Sequence, residues 1–129
     1  MKNYLIIGVL LVSISLCITV VAYQVNKEEV KHIESIPSNT FYEFIEKNPD
    51  AKIIDIRTKQ EYMTYHLDNS INIDYYSPDF KNELKQLDKD ETYIIYCRSG
   101  NRSKDAKKIM EELGFKNVYE LDDGIIKCC

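Results

Sequence analysis

The first strong feature of the chain is an uninterrupted apolar run. From Tyr4 to Tyr23 the sequence YLIIGVLLVSISLCITVVAY holds twenty residues without a charge. A helix rising ~1.5 Å per residue over that run nearly crosses the ~30 Å hydrocarbon core of a bilayer. Lys2 supplies a minimal positive flank, and Val20 with Ala22 places small residues at the spacing a signal peptidase prefers. Segment 1–23 is therefore expected to be a signal peptide or an N-terminal transmembrane anchor. Its length exceeds the roughly 7–15 residues of a signal h-region and favours the anchor. Lys27 and Lys31 behind the run offset Lys2 ahead of it, so lysine counting leaves the orientation open. Leu16 stands where a lipobox wants a small residue before a cysteine, which argues against lipidation at Cys17.

Beyond a polar tether at 24–30, residues 31–129 alternate between two periodicities. Val30 to Ile36 predicts a short strand stopped by Pro37. Thr40 with Glu43 reads as a capping box, followed by Phe41, Phe44 and Ile45 at helical spacing up to Asn48-Pro49. Lys52 to Ile56 predicts a buried strand, Gln60 to Tyr65 a helical turn and Ser70 to Ile73 a short strand. Ser77-Pro78, with Phe80, Leu84 and Leu87 on one face, predicts a helix with proline at its first position. Thr92 to Tyr96 is β-rich, a helix is expected from about Arg102 to Leu113 before Gly114, and Val118 to Leu121 is expected to be the last strand. Strands alternating with helices imply a three-layer α/β domain, with a central parallel sheet and helices on both faces.

Composition narrows the chemistry. A net charge of −4, with acidic and basic residues interleaved, provides no basic stripe for nucleic acid. The four cysteines, at 17, 97, 128 and 129, form neither a CxxC nor a Cys/His zinc pattern, so no metal and no cofactor is expected. What remains is Cys97-Arg98-Ser99-Gly100-Asn101-Arg102-Ser103, placed where a buried strand gives way to a helix. In an open α/β sheet that position opens onto the ligand crevice at the carboxyl ends of the strands. A short loop containing Gly100 can turn successive N–H groups inward, and the positive end of the next helix adds to the field there. With Arg98 and Arg102 nearby, this field favours the thiolate, which is the nucleophilic form of cysteine. A free cysteine ending a strand is otherwise an ordinary small core residue; it is the neighbours of Cys97 that point to chemistry.

CRSGNRS resembles the active-site loop of the rhodanese family, in which a cysteine heads a six-residue loop, here Cys97 to Arg102. Upstream, Asp55-Ile56-Arg57, Glu61-Tyr62, His66-Leu67 and Ser70-Ile71-Asn72-Ile73 are similar to a second family stretch at matching spacing, and the likeness covers roughly residues 30 to 126. The resemblance implies a sulfurtransferase: Cys97 takes sulfane sulfur from a donor such as thiosulfate and passes it, from a persulfide, to cyanide, a thiol or a protein acceptor. It assigns Arg98, Ser99, Gly100, Asn101 and Arg102 to substrate binding, with Arg98 at the rim. Arg102 is open to a second role, pairing with Asp55 or Glu61. Asp55 and Arg57 are expected to organise the loop rather than act as acid or base, and His66 to pack.

The chain departs from the family pattern in places. Asp68-Asn69 replaces a Pro-Gly turn, which Asn and Asp can make because they tolerate left-handed geometry. Asp123-Gly124 stands where the family has Gly-Gly, Cys128 falls at a tryptophan position, and the chain ends without the usual last helical turns. Adjacent cysteines seldom pair, which suggests that Cys128 or Cys129 could instead capture Cys97. An exported thiol-disulfide protein is thus the alternative function, with a rhodanese-fold phosphatase or arsenate reductase behind it, because those have one residue more between Cys and Arg. A non-catalytic binding module would lack the cysteine. The leader implies a membrane partner and an extracytoplasmic location.

Overall fold

The structure, a computed structural model, describes residues 1–25 and 31–129, so the tether at 24–30 and the start of the first strand at Val30 lie mostly outside the described residues. The chain divides into two compact units, Met1–Val30 and Lys31–Cys129. In the first, helix α1 spans Lys2–Val25. Over Lys2–Val21 its mean hydropathy is 2.7, which by length and composition is enough to cross a membrane. The hydroxyls of Ser13 and Thr19 donate to the carbonyls of Leu10 and Leu16, both at 2.8 Å, so these two polar side chains satisfy themselves on the helix.

In the second unit, β1 (His32–Ile36), β2 (Lys52–Asp55), β3 (Ile71–Asn72), β4 (Thr92–Tyr96) and β5 (Asn117–Leu121) form a parallel sheet in the order β1-β5-β4-β2-β3. Helices α2 (Phe41–Lys47), α3 (Lys59–Thr64), α4 (Phe80–Lys85), α5 (Asn101–Glu112) and α6 (Ile125–Cys128) complete it. The two-residue alternation of β4 separates the faces. Tyr93, Ile95 and Cys97 pack with Phe80 and Leu84 of α4 and Ala106 and Met110 of α5. Ile94 and Tyr96 pack with Phe41 and Phe44 of α2 and Ile125 and Cys128 of α6. Helices therefore cover both faces, as the alternating pattern requires.

Strand order fixes where a ligand can sit. From β2 the chain steps outward to β3 at one edge, whereas from β4 it steps the other way to β5. The loops leaving β2 and β4 diverge, and a crevice opens between the carboxyl ends of these neighbouring strands. Asp55 and Tyr96 are register partners at that point.

Several local expectations need correction. Thr40 caps nothing: its hydroxyl bonds the carbonyl of Pro37 at 3.2 Å within a 3-10 turn at Ser38–Thr40, and Glu43 pairs with Lys47. The capping box lies instead at Thr58 and Glu61, where hydroxyl and carboxylate each accept from the other residue's amide. Pro78 does not open α4; Ser77 to Asp79 form a turn, with Phe80 N–H donating to the Ser77 carbonyl at 3.1 Å. After β5 the chain does make a last helical turn, α6, because the Ile125 and Ile126 amides are anchored on the preceding loop. The Asp68-Asn69 turn is as expected, with Asn69 at φ 61°.

Candidate active site

Cys97 directly follows the central strand β4, with 1% of its surface exposed and its side chain turned to the α5 layer. The Gly100 amide donates to its Sγ at 3.1 Å, and the Ser103 hydroxyl lies 3.4 Å from the same sulfur. Gly100 has φ +89°, and this left-handed turn is what brings its N–H back onto the sulfur. The loop is held from outside: Ile125 and Ile126 amides donate to the carbonyls of Cys97 and Arg98 at 2.9 and 3.1 Å. With those carbonyls drawn outward, the amide side of the loop faces in, as in an anion-binding nest. The contact demands glycine at 124, where φ is +71° and a Cβ would stand 2.3 Å from the Arg98 carbonyl oxygen.

Across the crevice, Asp55 is fully buried and neutralised in place. Its carboxylate accepts from Arg57 Nε at 3.0 Å, Arg57 Nη2 at 2.7 Å, the Arg57 amide at 2.8 Å and the Tyr96 hydroxyl at 2.7 Å. Arg57 Nη2 also donates to the Tyr65 carbonyl, and the Asn72 amide group ties the Asp55 and Arg57 carbonyls together. The Tyr96 hydroxyl accepts from the Leu67 amide at 3.1 Å. Burial, reinforced by the Asp55 carboxylate, pushes the Tyr96 phenol up to about 12. Asp55 and Arg57 are thus bound to each other at the end of β2, and Arg57 also contributes to the cleft wall.

Arg102 closes the loop on its other side. Its guanidinium makes a two-pronged bond to Glu61, 2.8 and 2.9 Å, and sits 5.5 Å from the Tyr76 ring centre. The pairing choice left open in the sequence falls on Glu61. Hydrogen bonding to Arg102 first, and to the Thr58 amide and hydroxyl, holds the Glu61 carboxyl down to about 2 against the opposing effect of burial. Because that residue also caps α3, one carboxylate ties α3 to the first turn of α5.

Beside the loop lies a cleft of about 380 Å³, walled by Arg57, Glu61, Tyr65, Arg98, Ile125 and Cys129 among others. Arg98 and Ser99 are exposed and Asn101, the first residue of α5, is exposed as well. His66 faces a different groove, stacked on Tyr62 at 3.9 Å and bonded to the Tyr62 carbonyl, which fits a packing role. The expected capture of Cys97 by a terminal cysteine is not what the structure holds: Cys128 pairs with Cys129, and Cys97 is free. Contiguity brings the two terminal sulfurs together without a loop to close, whereas the Cys97 sulfur lies covered beneath its own loop.

Two further contributors, Ser103 and Glu120, were given no role from the sequence. Ser103 stands by the Cys97 sulfur and near Glu120, whose buried carboxylate is bound by Ser35 at 2.6 Å and Lys107 at 3.3 Å. The available signal was Glu120 itself, a charge inside the otherwise apolar stretch Val118 to Leu121 of β5.

The family model for the Rhodanese-like domain matches residues 38–127. Among curated proteins, the tRNA uridine(34) hydroxylases of Photorhabdus laumondii and Sodalis glossinidius are 35% and 37% identical over 86 residues. Each match takes in 62% of this chain and 24% of the relative, so the chain corresponds to about a quarter of those proteins' length. Among solved structures, a rhodanese-related protein from Thermoplasma volcanium superposes with a TM-score of 0.63 at 28% identity, covering 74% of this chain and 89% of that one. A rhodanese-like domain protein from Staphylococcus aureus gives a TM-score of 0.66 at 22% identity, covering 74% and 91%, and shares the fold. With the family match running from the turn before α2 into α6, and so over the loop and both strand ends that frame it, the chain belongs to the Rhodanese-like domain family.

Proposed function

We propose that the domain is a sulfurtransferase that carries sulfane sulfur as a Cys97 persulfide. The observation that carries this reading is the position of Cys97: it directly follows the central strand at the crevice, with its sulfur under the Gly100 amide and Arg98 exposed beside it. In the first step the Cys97 thiolate attacks the outer sulfur of thiosulfate. The bond between the two donor sulfurs breaks, its electron pair leaves with sulfite, and a persulfide anion remains. In the second step cyanide or a thiolate attacks that outer sulfur, the persulfide bond breaks, and the Cys97 thiolate returns. No general base is needed for a nucleophile that reacts ionised. The Gly100 amide and the field of α5 stabilise the persulfide charge, and Arg98 draws in the dianionic donor. Ser99, Gly100 and Asn101 supply the backbone cradle, with Arg102 fixed by Glu61 and Arg57 by Asp55.

Protein incubated with thiosulfate is expected to gain the mass of one sulfur atom, to lose it on addition of cyanide, and to gain nothing when Cys97 is replaced by serine. A Cys97→Ser protein that still forms thiocyanate from the two reagents would refute the assignment. The same reading places the domain behind a membrane-directed leader, in an extracytoplasmic setting, with small sulfur compounds or a protein thiol as its exchange partners.

A further inference from the structure

We infer that Cys128 and Cys129 form an internal dithiol acceptor that reductively discharges the Cys97 persulfide, releasing sulfide and closing the Cys128–Cys129 disulfide. The inference rests on the persulfide reading above and names the acceptor for it.

Three observations place the pair at this task. Helix α6 hangs on the active-site loop through the Ile125 and Ile126 amides, bonded to the carbonyls of Cys97 and Arg98. Cys129 follows Ile125 by one helical turn, its amide donating to the Ile125 carbonyl at 3.1 Å, so the terminal thiols stand ~6 Å of helix rise from the residue that grips Cys97. Cys129 is exposed and lines the same cleft as Arg98, whereas Cys128 is half-buried against Ile125 and the α2 side of the core. The two sulfurs are bonded to each other, and Cys97 is free. A Cys97 sulfur covered by its own loop is poorly placed for a disulfide with Cys129. A persulfide lengthens the Cys97 side chain by one S–S bond, ~2 Å, which extends its reach from beneath the loop.

The chemistry then balances in two exchanges. The accessible Cys129 thiolate attacks the outer sulfur, the persulfide bond breaks, and Cys97 recovers its thiolate while Cys129 carries the persulfide. Cys128, always adjacent, attacks the Cys129 sulfur, expelling the outer atom as hydrosulfide and forming the disulfide. The sulfane sulfur gains the two electrons that the dithiol loses, and the two thiol protons leave with the sulfide. Each reduced pair discharges one persulfide, and a further cycle requires an external dithiol reductant.

The test uses the full chain in two states. Protein with the terminal disulfide intact, given thiosulfate, is expected to hold the added sulfur on Cys97. Protein reduced first and freed of reductant is expected, with thiosulfate alone, to release one sulfide per chain with a first-order rate constant independent of protein concentration. Peptide mapping should then find the Cys128–Cys129 disulfide. In Cys128→Ser protein the sulfur is expected to move to Cys129 and stay there as a persulfide, with no sulfide released. Equal persulfide lifetimes in the reduced and oxidised proteins, or a rate constant for sulfide release that rises with protein concentration, would overturn the internal acceptor. Failure of the oxidised protein to load any sulfur would instead count against the sulfurtransferase reading itself.

Discussion

At the residue scale, the site separates a covered nucleophile from an exposed charge. Cys97 is sealed by the loop it begins, while Arg98, the next residue, is exposed and lines the open cleft. A long-range charge acts on encounter with an anionic donor and does little once the sulfur has been transferred. Arg98→Ala is therefore expected to weaken apparent affinity for thiosulfate on the order of tenfold at low salt. The loss should shrink as ionic strength rises past the point where the Debye length is about 10 Å. Stopped-flow loading measured across a salt series, beside the discharge of preloaded protein to cyanide, separates the two half-reactions. Equal losses in both, indifferent to salt, would show that Arg98 supports the loop instead.

At the scale of elements, the site is a set of short pieces pinned by reciprocal polar contacts. Glu61 is the pin with a measurable signature, since it caps α3 and holds Arg102 of α5. Its carboxyl titrates near 4.5 when unfolded and is held down to about 2 in the fold. The folded state thus prefers the ionised form. Its contribution, ~2 kcal/mol once screening at the rim is allowed for, is complete above about pH 4.5 and lost as pH falls through about 2. Glu61→Gln is expected to be less stable at neutral pH and to flatten the acid limb between those limits in denaturant titrations. An acid limb as steep as that of the unmodified protein would assign it to other carboxylates.

The same contrast between short-range and long-range contacts explains what the sequence could convey. Periodicity located all five strands and the α5 helix within a residue or two, because burial on a pleated face leaves its mark on consecutive positions. The Cys97 loop and the Asp55-Arg57 pair were legible because their members lie close together in the chain. The Thr58-Glu61 box, by contrast, has the same Thr-x-x-Glu spacing as Thr40-Glu43, and only the folded backbone at the start of α3 separates the two. The link from Ile125 to Cys97 joins backbone groups 28 residues apart and involves no side chain that could announce it. The contact between Glu120 and Ser103 was similarly hidden, since it forms only once β5 and α5 are packed together.

At the scale of the whole molecule, the two units pose different physical problems to the same chain. The second buries its charged groups in pairs, as in Asp55 with Arg57 and Glu120 with Lys107. The first leaves Leu10, Val12, Leu16 and Val20 exposed along α1, an arrangement that water penalises and hydrocarbon accepts. Its Ser13 and Thr19 hydroxyls are already satisfied by α1 carbonyls, which removes the usual cost of polar groups in lipid. On the proposed extracytoplasmic placement, a bonded Cys128–Cys129 pair would persist. A reporter that is active only outside the cytoplasm, fused after Cys129, is therefore expected to give signal. It should sediment with membranes if α1 is retained and appear in the soluble extracytoplasmic fraction if α1 is removed. A membrane-bound reporter active only in the cytoplasm would reverse the orientation and place the terminal pair in a reducing compartment. There the pair would rest as the dithiol, so the internal discharge of Cys97 would run without prior reduction, and sulfide release from freshly isolated protein would reveal it.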